Sequence, residues 1–302
     1  MVASTSTELV FLTAGALELA LCPSKGGSIA RFDFVHADRR TPILRGCPGI
    51  PANVLEAASF PLVPFVNRIA SGSFTFRDRT ICLTPNLAGD ASPLHGQGWL
   101  SPWEIVSATP REANLRFEHR SGEWPWSYAA WQRFSLDEDG VEVELGCTNL
   151  SSEPMPCGLG QHPYFHCTSA TRLRTDVEHV WTIDERVLPV EKILASGRFD
   201  IRDARVCGLD LDHGFDGWGG SAEISDPAWP FAIHLSSSDA NFFQLYSPKQ
   251  GGIFVAEPVT HANAALNVAE SEWAQLGMRV LAPGEGMSLI MRLVVGPPLK
   301  PV

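Results

Sequence analysis

Val141-Glu142-Val143-Glu144-Leu145-Gly146-Cys147 alternates apolar with polar or small residues one by one, and the turn formers of Asn149 to Pro154 follow it. Side chains along a strand point to opposite faces in turn, so this pattern reads as a strand with one buried face. The same period recurs outward in both directions. Leu115 and Phe117 alternate with Arg116 and Glu118, Phe74 and Phe76 with Ser73, Thr75 and Arg77, and Leu289, Met291, Leu293 and Val295 form a matching row. The 302 residues include 26 Gly and 23 Pro spread at short intervals, which suits many short strands and disfavours long helices. Helical turns are expected only near Asn53–Ala58 and Glu270–Leu276. No linker, low-complexity tract or repeat divides the chain. Residues 1–302 therefore read as one all-β domain with its core between two large antiparallel sheets.

Charge narrows the partners. With 23 Lys and Arg against 34 Asp and Glu the formal charge is −11, and no basic stripe is present. Nucleic acid and anionic membranes are set aside on that ground. The seven cysteines are odd in number and form no Cys-x-x-Cys, which favours reduced thiols and a cytoplasmic location over a disulfide framework or zinc knuckle. The apolar run from Leu9 to Cys22 is broken by Glu18 and follows Glu8 with no basic residue ahead of it, so it does not read as a secretory leader. No segment reaches the length of uncharged apolar residues that spans a bilayer.

G-x-S-x-G, Walker A and dinucleotide-binding signatures are all missing, so the common hydrolase, NTPase and dehydrogenase chemistries have no foothold. His162 and His166 are four apart, a metal-like spacing on a helix, but Pro163 argues against a helix. In an extended segment the rings would share a face about 13 Å apart, too far for one ion. Neither a metal nor another cofactor is expected.

Four segments place polar groups where a plain β core has no use for them. Phe60-Pro61-Leu62-Val63-Pro64-Phe65-Val66 is stiffened by two prolines and ends in Asn67 and Arg68. A guanidinium held by rigid neighbours suits a pair of vicinal oxygens, although a structural ion pair fits the same residue type. Pro93-Leu94-His95-Gly96 sets an imidazole beside glycine, next to Trp99. Gly158-Leu159-Gly160-Gln161-His162-Pro163-Tyr164 sets a second imidazole between glycines and a rigid Pro-Tyr; His is the side chain best matched to proton transfer near neutral pH. Ile253-Phe254-Val255-Ala256-Glu257-Pro258 ends an apolar run in a carboxylate, which must be paired, exposed at a strand end, or functional.

Together these segments resemble the aldose 1-epimerase (galactose mutarotase) family. The resemblance rests on Phe60 to Ile69, Leu94-His95-Gly96, His162-Pro163-Tyr164-Phe165, Leu211-Asp212-His213-Gly214-Phe215, Glu257 to Asn267 and Gly277 to Glu285, in the family's order. It implies a β-super-sandwich and cofactor-free interconversion of the α and β anomers of a small sugar. By motif position, Glu257 would be the general base on the C1 hydroxyl and His162 the general acid on the ring oxygen. His95 would hold the ring oxygen, Arg68 and Asn67 would bind hydroxyls, and Asp212 would accept a hydrogen bond from one. Val66 departs from the proline common there, and Trp124 and Trp126 enrich a segment that is usually Tyr-Pro-Phe-like. Those indoles read as core, with stacking on a sugar's apolar face as the alternative.

Mutarotation moves protons between oxygens while one C–O bond opens and closes, so it needs one acceptor and one donor. The expectation is that Glu257 and His162 face each other across a pyranose-sized hollow, neither with an extreme pKa. The alternatives are a hexose-6-phosphate 1-epimerase, which would want basic companions for Arg68 that the motif segments lack, and a non-catalytic carbohydrate-binding β-sandwich. A glycoside hydrolase would need a second carboxylate partner for Glu257. The preferred aldose and the oligomeric state are not encoded in these motifs.

Overall fold

A computed structural model describes residues 9–37 and 39–298. Two large antiparallel sheets dominate, as the alternation predicts. In the nine-stranded sheet Gly140–Asn149 lies between Tyr128–Leu136 and Gly286–Gly296, the central strand. Register places Val143 opposite Met291 and Leu145 opposite Leu289, all fully buried on one face, while Glu142 meets Arg292 on the other. Same-face apolar partners across a pair are what fix such a register.

The eight-stranded sheet runs Pro189–Leu194, His179–Ile183, Leu211–Asp216, Phe242–Ser247, Ile253–Val259, Gly160–Gln161 and Pro61–Leu62, with Tyr164–His166 also paired to Ile253–Val259. A four-stranded sheet of Val10–Ala14, Leu17–Cys22, Ser28–His36 and Arg39–Leu44 is the third layer. The apolar stretch after Leu9 is thus a hairpin turning at Gly15. One apolar core joins these three sheets, through Leu19 and Phe32, Val143 and Leu289, and Phe215, Phe243 and Phe254. Full burial of each such side chain contributes about 1.5–3 kcal/mol.

Helix among the described residues is confined to 3-10 turns. Val54–Glu56 is capped by Asn53, whose side chain accepts from Leu55 N–H at 2.9 Å. Glu270–Leu276 ends at Gly277 with φ +80°, where a Cβ would lie 2.0 Å from Thr260 O, so only glycine fits. Among the described residues no helix is long and apolar enough to cross a membrane. Trp124 and Trp126 are core: they touch each other at 5.1 Å between ring centroids, and Trp124 packs on Phe65 and Phe74.

Candidate active site

The two faces of the eight-stranded sheet have different jobs. Phe254 and Ala256 point into the inter-sheet core, while Val255, Glu257 and Val259 point the other way, among Phe60, Leu62, Val66 and Tyr164. On the neighbouring strand Gln244 stands opposite Glu257 and Tyr246 opposite Val255, and one strand further Asp212 stands opposite Tyr246. The period of two therefore delivers Asp212, Gln244, Tyr246 and Glu257 to one surface. A slip of one residue would send Glu257 into the core. Glu257 lies inside its strand and is 3% exposed. The strand-end placement read from the sequence is corrected: Pro258 continues the pairing opposite Phe243 instead of ending it.

Two loops close over this surface. Val63 to Arg68 and Leu94 to Gly96 are tied by His95 N–H donating to Asn67 O (3.0 Å) and Ile69 N–H to Pro93 O (3.2 Å). Gly96 has φ +72°, and a Cβ there would meet Val63 O at 2.1 Å, so the close approach requires glycine. Asn67 N–H donates to His95 Nδ1 (3.0 Å). That bond fixes the neutral tautomer of His95 with Nε2–H free to donate, and burial holds its pKa well below the usual range.

The result is a cleft of about 280 Å³ lined by Asn67, Arg68, His95, His162, Asp212 and Glu257, all six residues anticipated from the sequence. Leu55, Phe60, Leu87, Trp99, Tyr164, Gln244 and Tyr246 complete its walls. Pockets for drug-sized ligands run from about 300 Å³ upward, so this one suits a single small ring.

His162 Nε2 lies 3.5 Å from Glu257 Oε1. The expected placement across a pyranose-sized hollow is corrected, because the two groups are neighbours. His162 stacks on Phe60 (4.4 Å between centroids) and its backbone N–H donates to Phe60 O, which fixes the ring. His162 Nδ1 is buried without a hydrogen-bond partner from another residue. The expectation of ordinary pKa values is also corrected. Burial pushes His162 down to about 3. Burial, then Asp212, pushes Glu257 well above the usual carboxylate range, with Arg68 opposing. A dry site disfavours the charged form of each partner.

Arg68 is not a free cation. Its Nε donates to Asp90 (3.0 Å), its Nη1 to Asn67 Oδ1 (2.9 Å), and its Nη2 lies 4.0 Å from Asp212. Burial raises the Asp212 pKa, while Arg68 and a 2.8 Å bond from Gln244 Nε2 act against the rise. Arg45 stacks over Tyr164 (3.7 Å to the centroid) behind the wall, donating to Leu55 O and Ala57 O. Nothing in the motifs marked Asp90, Gln244, Arg45 or Tyr246; only the sheet register and loop closure bring them to the site. His166 is exposed, whereas His162 is buried in the cleft. Among the described residues no three His, Cys, Asp or Glu side chains gather as a metal site would need.

Fold and cleft together define a galactose mutarotase-like β-sandwich with an imidazole–carboxylate pair at its centre. The aldose 1-epimerase family profile matches residues 8–293, and the chain belongs to that family. The uncharacterised protein YphB of Escherichia coli K12 is 34% identical over 270 residues, 84% of this chain and 89% of YphB. A crystal structure of a candidate aldose 1-epimerase from Escherichia coli K12 superposes with a TM-score of 0.87 at 31% identity, covering 96% of this chain and 99% of that one. A galactose mutarotase-like protein from Clostridium acetobutylicum shares the fold at TM-score 0.83 and 19% identity, over 95% and 94% of the two chains.

Proposed function

We propose that this chain, acting as one β-sandwich domain, is an aldose 1-epimerase that interconverts the anomers of a free, uncharged aldose. The observation that carries the reading is the 3.5 Å contact between His162 and Glu257 on the floor of a ring-sized cleft. The two oxygens that exchange protons in mutarotation are bonded to the same carbon, so an acid and a base standing side by side suit them. Groups on opposite walls of the ring would not reach both.

Glu257 as carboxylate takes the C1 hydroxyl proton, and His162 as imidazolium gives its proton to the ring oxygen. The C1–O5 electrons leave with O5, C1 becomes an aldehyde carbon, and rotation about C1–C2 presents its other face. Reclosure returns both protons, so the pair ends with the single proton it began with. That ionic form differs from the neutral pair favoured by burial only in which partner holds the proton. Sugar hydroxyls that donate to Glu257 favour the carboxylate. The Nε2–H of His95 donates to the ring oxygen, and Arg68, Asn67 and Asp212 take the remaining hydroxyls. The same proton transfers need no metal or nucleotide, and a cytoplasmic location suits the free thiols.

A free sugar is favoured over a sugar phosphate because Arg68 is already engaged by Asp90 and approached by Asp212. An added dianion would meet more negative than positive charge there. Polarimetry on freshly dissolved α-D-glucose and α-D-galactose tests the reading. The protein should speed equilibration of at least one, and Glu257→Gln should cut the rate by about 10²–10⁴-fold. No acceleration of any free aldose, with fast equilibration of glucose 6-phosphate, would replace it.

A further inference from the structure

We infer that His261 is a positioning residue for the Asn67-Arg68 pair, holding their backbone in place through the Val66 amide; the inference rests on the sugar-cleft reading above. The segment from Val66 to Ala70 lies outside any strand and passes through a left-handed conformation at Asn67 (φ +57°). Its backbone gains little from sheet pairing, and four of its amides donate to side chains. Val66 N–H donates to His261 Nε2 (2.9 Å), Asn67 N–H to His95 Nδ1 (3.0 Å), Arg68 N–H to Asn263 Oδ1 (3.1 Å) and Ala70 N–H to Asn267 Oδ1 (2.7 Å). Three of the four acceptors follow Glu257 within a single stretch of chain. One segment therefore carries the carboxylate and also fixes how far Arg68 stands from it.

His261 is suited to this task in three ways. It is 2% exposed, so water cannot replace it as the acceptor. Its Nδ1 contacts Ala262 O at 2.8 Å, which requires the proton on Nδ1 and leaves Nε2 free to accept. Its ring fills the space left by Gly158, where a Cβ would lie 1.9 Å from Cδ2, so the imidazole has no room to turn away. Burial keeps its pKa near 4, and the ring stays neutral at physiological pH. His261 does not line the cleft with Arg68 and His162; its effect on substrate is relayed by the Val66 amide.

The test compares His261→Leu, which removes the acceptor at similar volume, with His261→Gln, whose Oε1 replaces Nε2. Amide hydrogen exchange across residues 66–70 is read without sugar, and anomer-exchange kinetics are read with it. In His261→Leu, protection of 66–70 should fall roughly tenfold and KM should rise about tenfold, with kcat changed by less than about threefold. His261→Gln should stay near wild type in both readouts. Unchanged protection in His261→Leu, a loss confined to kcat, or Gln behaving as Leu would overturn the inference. If His261→Leu does not fold, Asn263→Leu removes the Arg68 amide acceptor and must give the same pattern. Wild-type protein that exchanges no anomers would sink the proposed function, while the sugar-free exchange data would still decide the positioning role.

Discussion

The two faces of the strand Ile253–Val259 are almost equally dry, yet they are built on opposite terms. One face sends Phe254 and Ala256 into the apolar core shared by the large sheets. The other buries Glu257 beside Val255 and Val259, with His162 in contact. The first face makes stability, and the second spends some of it on holding ionisable groups where burial disfavours their charge. Removing the defining residue of each face should thus give opposite results.

The largest expected effect is on the cleft face. Glu257→Gln should lower the anomer-exchange rate by about 10²–10⁴-fold while raising stability at neutral pH, as read by denaturant unfolding. The sign follows from the raised pKa: the folded state keeps a proton that the unfolded carboxyl releases above about 4.5, so stability falls as pH rises through that window and the amide escapes the penalty. A destabilised Gln variant would contradict the comparison. Next, Phe254→Ala on the core face should cost about 3–5 kcal/mol of stability, with KM near wild type at temperatures where it remains folded.

The imidazoles sharpen the contrast through pH. His162 and His261 titrate near 3 and 4 when folded, against about 6.5 when unfolded. The unfolded chain therefore binds more protons below about 6.5, and stability should fall as pH drops from there toward 4. In Glu257→Gln that acid-side decline should persist while the decline on the alkaline side shrinks. Arg68→Lys should raise KM by about tenfold, because a point charge cannot span Asp90, Asn67 and a sugar hydroxyl together. The smallest effect is expected from Trp124→Phe. Its indole N–H is buried without a partner, so stability should change by about 1 kcal/mol or less and sugar affinity not at all.

The same contrast explains what could be read from the sequence. Alternation at Val141–Cys147 and Leu289–Val295 predicted the sheets because burial on one face is written into every second residue. Asn67, Arg68, His95, His162 and Glu257 were visible because glycine, proline or an apolar run isolates each of them, whereas Asp212 entered only through the resemblance of its motif. Gln244 was hidden within Phe242–Ser247, where nothing marks it until pairing sets it opposite Glu257. Asp90 sits among ordinary loop residues and becomes part of the site only through its bond to Arg68. Asn263 and Asn267 lay within a quoted motif, but their role depends on the loop that they brace, nearly two hundred residues earlier. The pKa shifts were beyond reach because they come from burial, which spacing does not report.

A double-mutant cycle on His162→Asn and Glu257→Gln, read as the anomer-exchange rate by NMR, tests the proton-sharing pair most directly. If one proton passes between the two groups, the double variant should be about as slow as the slower single variant, because losing either partner disables both. Losses that multiply, each variant slowing the other's background by its full factor, would mean that the two side chains work independently, and the shared-proton account would fail.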